Sequence, residues 1–134
     1  MAKDAKGLVL MNTEDGILTN ELGSYEIEDG MQFVYKTFVA DGIVKLFVTT
    51  DRDVSDDEFN EIFDEYENEK LTEAGFEIEE IEDEYNPVWC ITIKFNEDFD
   101  EMTDDLNYII AYHKGEVERI YEKIKSWMQW TDPL

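Results

Sequence analysis

Residues 31–50 read MQFVYKTFVADGIVKLFVTT, two apolar runs joined by Asp41-Gly42. An Asp-Gly step between two such runs is typical of a two-residue β-hairpin turn. The first run carries apolar side chains on both predicted faces: Phe33, Tyr35 and Val39 on one, Val34 and Phe38 on the other. Because both faces are apolar, we expect these strands to be central in a sheet and covered on both sides.

Strand-like runs occur on both sides of this hairpin, and Asp29-Gly30 is predicted to form a second hairpin turn. The predicted strands are Leu8–Met11, Ile17–Leu18, Ser24–Glu28, Met31–Ala40, Ile43–Thr50, Phe76–Glu82 and Val88–Phe95. The sequence therefore predicts a single α+β domain over residues 1–134. It would contain an antiparallel β-meander sheet of about six to seven strands, in the chain order five strands, a short helix, two strands and a long C-terminal helix.

Two helices are predicted from apolar spacing. Ser55 and Glu58 form a capping box, an apolar stripe follows from Phe59 to Tyr66, and Gly75 is the predicted stop. A second helical period continues from Phe99 to Trp127, which corresponds to ~46 Å of helix. A globule of this length is only ~36 Å across. The long helix therefore either overhangs the body or bends, and Gly115 is the residue that best permits a bend.

The composition is that of a folded but intensely acidic protein. The net charge is −24, whereas 43% of the residues are apolar and 13% are aromatic, so a core is expected. The charge repels nucleic acid and anionic membranes, and we expect no direct binding to either. No apolar run is long enough to span a membrane and no targeting segment precedes the first strand, which favours a cytoplasmic protein.

The acidic residues are unevenly distributed. Residues 51–105 contain 23 Asp and Glu but only three Lys and Arg, whereas residues 114–125 contain four Lys and Arg and three Glu. One interpretation is a solvated face that maintains solubility. The sharper interpretation is a surface for a basic protein partner. Its candidate residues are Asp56, Asp57, Glu61, Asp64, Glu65, Glu79 and Glu80.

The end of the long helix is a second candidate surface. Trp127, Met128 and Trp130 lie close together there and would be exposed if the helix overhangs. We expect either that this tip folds back on the sheet or that it pairs with a second copy in a homodimer. The near-neutral segment 114–125 would reduce the repulsion between two such chains.

Catalytic and metal-binding patterns are weak. Asp51, Asp53, Ser55 and Asp57 alternate as in an EF-hand, but the required glycine and the final glutamate are absent. His113, with Glu116 one turn away, lies on the apolar stripe and is interpreted as a core-edge histidine that is hydrogen-bonded to a neighbour. Cys90 is interpreted as a small core or sheet residue.

We therefore predict a non-enzymatic interaction or regulatory module without a cofactor or metal. The alternatives are a hydrolase or metal-dependent enzyme built on carboxylates, and a nucleic-acid mimic that binds a basic protein. A carboxylate enzyme requires buried Asp or Glu residues in a concave pocket. A mimic requires acidic groups in two rows at the spacing of phosphates.

Two short segments carry a family resemblance. Glu21-Leu-Gly-Ser-Tyr25 and Glu84-Tyr-Asn-Pro-Val-Trp89, together with the order of elements, resemble a small family of uncharacterised acidic proteins from clostridia-like bacteria. The resemblance spans most of the chain. It implies a cytoplasmic bacterial protein, and it implies no activity and no site residue.

Overall fold

The computed structural model describes residues 6–131, and it describes the side chains of residues 7–126. The fold is α+β, with a six-stranded sheet in the order β2-β1-β3-β4-β6-β5. The strands are β1 (Lys6–Glu14), β2 (Ile17–Ile27), β3 (Val34–Ala40), β4 (Ile43–Thr49), β5 (Glu77–Ile81) and β6 (Val88–Lys94). The helices are a 3-10 turn (Met31–Phe33), α1 (Asp56–Glu65), α2 (Glu69–Glu73) and α3 (Phe99–Thr131).

The sheet is mixed, so the prediction of a purely antiparallel meander is wrong. β1 pairs antiparallel with β2 on one side and parallel with β3 on the other, through Asn12 and Val39. The connection from β2 to β3 therefore passes over β1, which lies between these two strands in the sheet. Asp29-Gly30 lies in this connection and leads into the 3-10 turn, so it does not close a hairpin. Ile17–Ile27 is one continuous strand, which leaves four strands before α1 instead of five.

The hairpin at Asp41-Gly42 is confirmed. Both turn residues have positive φ values, 54° and 76°, as a two-residue hairpin turn requires. The predicted faces of β3 are wrong, however, because a register shift separates Val34 from Lys36. This irregularity places Val34 on the same side of the sheet as Val39, each opposite a buried β4 residue.

The helix predicted to run to Gly75 is broken in two. Its start is confirmed, since the Ser55 side chain accepts from the Glu58 N–H and the Glu58 side chain accepts from the Ser55 N–H. The chain leaves helical geometry at Tyr66, which has φ −67° and ψ 125°, and resumes in α2. By contrast, α3 runs without interruption through Gly115 for 33 residues, about 50 Å. Within residues 6–131 no helix is both long and apolar enough to cross a membrane.

All three α-helices pack on one face of the sheet. The core there joins strand residues such as Leu46 and Ile91 to Leu106 and Ile110 of α3, all with 0% exposure. α1 reaches the same face through Phe63, and α2 through buried Leu71. The opposite side is called the open face, and its central residues are Lys36, Phe38, Lys45, Phe47, Glu77, Glu79, Cys90 and Thr92. No helix of residues 6–131 packs on it, so the expectation of cover on both sides is wrong.

Candidate functional site

A buried histidine lies at the junction of α1, α3 and the sheet. His113 is fully buried, with Nε2 2.7 Å from the carbonyl oxygen of Thr49 and Nδ1 2.9 Å from the hydroxyl of Tyr66. A carbonyl can only accept a hydrogen bond, so Nε2 carries the ring proton. The neutral ring then accepts at Nδ1 from the Tyr66 hydroxyl, and both ring nitrogens have a partner.

The pKa values of His113 and Tyr66 both lie far from neutral pH. Burial lowers the pKa of His113 to about 4 and outweighs the carbonyl of Thr49 and the carboxylate of Glu116, which favour the charged form. Burial also raises the pKa of Tyr66 well above its usual value. Neither group exchanges a proton readily near pH 7. The pair acts as a hydrogen-bonded tie between α3 and the rest of the fold.

A buried carboxylate extends this tie to the break between α1 and α2. Glu116 is 8% exposed and accepts from the Glu67 N–H at 2.9 Å and from the Arg119 guanidinium at 3.0 and 3.1 Å. Arg119 also donates to the Glu65 carbonyl at 2.8 Å, and Tyr112 donates its hydroxyl hydrogen to the Glu67 carbonyl. These side chains of α3 satisfy backbone groups that the broken helix leaves without helical partners.

Aromatic rings close the cluster against solvent. The Trp89 ring lies 4.5 Å from that of Tyr66, 5.1 Å from that of Phe63 and 5.1 Å from that of His113, measured between ring centroids. Trp89 is only 1% exposed. The interpretation of His113 as a hydrogen-bonded core histidine is therefore confirmed, although it lies deeper than a core edge. The rings and hydrogen bonds of the cluster thus connect α3 to the end of α1 and to the segment that leads into α2.

The seven predicted acidic residues do not form one surface. Asp56 and Asp57 are exposed in the first turn of α1, whereas Glu61 and Glu65 are half-buried. Glu65 forms an ion pair with Lys123 at 2.6 Å. Only part of the predicted α1 surface is therefore free to meet a partner.

The acidic residues of β5 alternate between the two sides of the sheet. Glu79 lies opposite Cys90 on the open face, whereas Glu80 lies opposite Trp89 on the helix side. Burial raises the pKa of Glu80, and the charges of Glu82 and Asp64 raise it further. Asp64 and Glu80 are therefore brought together, with Glu82 as a third member that the sequence analysis missed. We call these three residues the acidic edge, since β5 is an edge strand.

The predicted surface at the end of α3 lies only partly within the described residues. Trp127, Met128 and Trp130 belong to the helical backbone, but their side chains lie outside the described residues. Two of the cations that precede them form ion pairs within the chain. Lys114 pairs with Asp29 at 3.2 Å and Lys123 with Glu65 at 2.6 Å, so they tie α3 to the body.

The Asp residues that resemble an EF-hand serve local structure. Asp53 accepts from the side-chain amide of Asn86 at 3.0 Å, and Asp51 accepts from the Tyr121 hydroxyl at 3.0 Å. Arg52 lies 4.0 Å above the Tyr121 ring and pairs with Asp51. In residues 6–131 no three His, Cys, Asp or Glu side chains are grouped so that they could hold a metal ion.

Two Asp-Gly turns frame a cleft at one end of the sheet. Because β1 and β3 are parallel neighbours, the turns that follow them lie side by side. The cleft between them has a volume of about 430 Å³ and is lined by Thr13, Glu14, Asp15, Gly16, Phe38, Ala40 and Asp41. Three carboxylates in this lining disfavour an anionic ligand.

The open face has a regular arrangement of side chains across four strands. One row consists of Lys36, Phe47, Cys90 and Glu79, and the next row consists of Phe38, Lys45, Thr92 and Glu77. Burial raises the pKa of the Cys90 thiol, so this cysteine is not a thiolate near neutral pH. Cys90 is 7% exposed and lies in the sheet, as predicted, but it is not part of the core cluster.

Comparison with known proteins identifies a family. The chain belongs to the family of unknown function DUF6762, whose family model matches residues 3–129. No curated protein and no solved structure matches the chain. The match covers every described strand and almost all of α3, so the buried cluster and the open face both lie within the family domain. The resemblance to an uncharacterised family is thereby confirmed.

Proposed function

We propose that the protein is a non-enzymatic interaction domain of the bacterial cytoplasm that binds a basic protein. The observation that carries the proposal is the exposure of its carboxylates. Of the 23 Asp and Glu in residues 51–105, nineteen are exposed and four are half-buried. Among the described residues, only Asp51 and Glu65 of this set form ion pairs. Apart from carboxylates that accept hydrogen bonds within the chain, such as Asp53 and Glu58, the remaining charge is available to an external cation.

The acidic edge is the part of this surface that we assign to the partner. Burial raises the pKa of Glu80 and the charges of Glu82 and Asp64 raise it further, so the three carboxylates repel one another in the free protein. A Lys or Arg side chain placed among them would relieve that repulsion. No described strand pairs with the outer side of β5, because this strand forms the end of the sheet.

The alternative functions fit the arrangement less well. A carboxylate enzyme needs buried acidic groups in a concave pocket, but the carboxylates of residues 51–105 lie at the surface. The three that line the cleft between the Asp-Gly turns, Glu14, Asp15 and Asp41, are also exposed. Among the side chains of residues 7–126 the one buried carboxylate, Glu116, is neutralised by Arg119. A nucleic-acid mimic needs two rows along one surface, whereas Glu79 and Glu80 lie on opposite sides of the sheet.

Affinity capture with charge-reversed variants tests this proposal. Glu80→Lys combined with Glu82→Lys changes the acidic edge, and Glu26→Lys combined with Glu28→Lys makes the same change near the far edge strand. Two reversals of two units each bring the net charge from −24 to −20 in both variants. At about 0.15 M salt, we expect the wild type and the Glu26/Glu28 variant to retain a basic protein and the Glu80/Glu82 variant to lose at least about tenfold in affinity.

Two results contradict the proposal. Equal losses in both variants would show that binding follows the net charge and not the acidic edge. Failure of the wild type to retain any basic protein would reject the interaction itself. Thermal unfolding of each variant is the control, because exposed charge changes of this kind leave the fold within about ±0.5 kcal/mol.

A further inference from the structure

We propose that the open face is a self-association surface on which a second copy of the chain packs by two-fold symmetry. The four strands β3, β4, β6 and β5 present their outward side chains there, and no helix of residues 6–131 covers them. This inference goes beyond the proposed function, because it concerns the opposite side of the sheet from Glu80 and does not depend on a basic partner.

The centre of the open face is apolar and aromatic. The rings of Phe38 and Phe47 are stacked with their centroids 6.0 Å apart, and both are half-buried. Neither belongs to the core cluster or packs against it. Val9 and Tyr35, which are 40% and 49% exposed, add apolar surface nearby. Covering such a surface removes it from water at about 25 cal/mol per Å².

The charges of this face are divided by strand. Lys36 and Lys45 lie on β3 and β4, whereas Glu77 and Glu79 lie on β5. The Lys36 ammonium lies 4.8 Å above the Phe47 ring, and Lys45 donates to the hydroxyl of Thr92 at 3.2 Å. Neither lysine forms an ion pair among the described residues, although the chain has a net charge of −24. Their natural counterions are carboxylates of another molecule.

The placement of the lysines on β3 and β4 and the glutamates on β5 is self-complementary under a two-fold axis. An axis parallel to the strands, lying between β4 and β6, brings β3 of one copy over β5 of the other. Because Lys36, Phe47, Cys90 and Glu79 form one row, Lys36 then meets Glu79 of the second copy, and Phe47 meets its Cys90. The strand axes of the two copies are then aligned and the facing strands β3 and β5 are antiparallel, which is the aligned packing of β-sandwiches.

Charge complementarity is the reason for assigning a second copy as the occupant. A basic partner would meet Lys36 and Lys45 at the centre of the face, and an acidic partner would meet Glu77 and Glu79 at its side. A second copy pairs Lys36 directly with its Glu79, and its Glu77, which faces Phe38, lies one strand away from Lys45. The local balance of two lysines and two glutamates also lets two strongly acidic chains approach here with little repulsion.

The size of the face sets the expected affinity. Three strands of seven residues and β5 with five, at ~4.8 Å spacing and ~3.3 Å rise, give a footprint of about 410 Å² in projection. Standard interfaces bury about 800 Å² of accessible surface per partner, so this one lies at the small end. We therefore expect a reversible dimer whose population changes with concentration.

Sedimentation equilibrium with exchanged charges tests the pairing of Lys36 with Glu79. The single variants Lys36→Glu and Glu79→Lys each place like charges opposite one another, so each dimer should be weakened by at least about tenfold. In a mixture of the two variants, every pair is again Glu opposite Lys, and heterodimers should form with an affinity within about threefold of the wild type. Recovery of the dimer in the mixture also shows that both variants are folded.

Two control variants, and three results that would overturn the proposal, complete the test. Lys70→Glu and Glu28→Lys make the same charge changes at exposed sites away from the open face and should leave the dimer unchanged. A wild-type monomer at all concentrations overturns the proposal. So does a dimer that is insensitive to Lys36→Glu, or one that dissociates only with Trp127→Ala, which would place the interface at the end of α3.

Discussion

The two faces of the sheet differ in whether helices of the same chain cover them. On the helix side, Leu46 and Ile91 are fully buried under α3, and the polar groups of His113 and Glu116 have partners. On the open face, the same strands carry stacked aromatic rings and lysines without ion pairs among the described residues. The first face is a covered core, in which the Trp89 indole N–H and the Thr37 hydroxyl are the buried side-chain groups that have no hydrogen-bond partner among the described residues. The second has the composition of a surface that another molecule completes.

Adjacent residues of β4 give the sharpest test of this difference. Leu46→Ala opens a cavity in the covered core and should lower the free energy of unfolding by about 3 kcal/mol. Phe47→Ala, one residue further, should cost only about 1 kcal/mol, because the ring is half-buried and loses its stacking with Phe38 and its contact with the Lys36 ammonium. Urea denaturation at low protein concentration, where the monomer dominates, measures both values.

The losses of unfolding free energy in Leu46→Ala and Phe47→Ala show whether the two faces of the sheet are packed differently. Equal losses for Leu46→Ala and Phe47→Ala in the monomer would mean that the open face is packed like a core. At higher concentration the Phe47 variant should also lose the part of the stability that dimer formation adds to the wild type. The Leu46 variant should keep that concentration dependence, since its side chain lies on the helix side.

Local signals predicted local structure. The turn at Asp41-Gly42 and the cap at Ser55 follow from residues that contact one another directly, and both predictions are confirmed. The strand order depends on β1 pairing with β3 in parallel, through Asn12 and Val39, which are far apart in the chain. An apolar pattern shows that a strand is buried but does not identify its neighbour.

The errors in the candidate sites have similar causes. The break at Tyr66 arises because Glu116 and Tyr112, on α3, bind the backbone of Glu67, and the apolar stripe contains no trace of that contact. The open face was predicted to be covered because its strands are apolar on both sides. A sequence pattern does not distinguish cover by a helix of the same chain from cover by a second chain. By contrast, the period of two in β5 could have separated Glu79 from Glu80.

Acid should weaken the covered face through His113. The unfolded chain binds a proton there below its usual pKa of 6.5, whereas burial lowers the pKa of folded His113 to about 4. The unfolded state therefore binds more protons between these values, and stability is full above pH 6.5 and falls as the pH decreases toward 4. Between pH 7 and pH 5 we expect a loss of about 2 kcal/mol from this residue.

Chemical denaturation of the wild type and His113→Gln at both pH values measures this contribution. The substitution lowers the stability at both pH values, but only the change between them reports the titration of His113. The surface carboxylates titrate alike in the two proteins, so their effect cancels in the comparison. A variant that loses as much stability as the wild type between pH 7 and pH 5 would show that His113 is not the responsible group.

The smallest predicted effect concerns Gly115, on the solvent side of the helix that covers the core. The residue is exposed, and a Cβ atom added there would meet no heavy atom within 4 Å. Since α3 is continuous at this position, Gly115→Ala should stabilise the protein by about 0.7 kcal/mol through the higher helix propensity of alanine. Thermal unfolding should show a higher midpoint, while the dimer dissociation constant stays unchanged because the open face is on the other side of the sheet. A lower midpoint would instead indicate that the helix bends at Gly115 and needs the freedom of glycine.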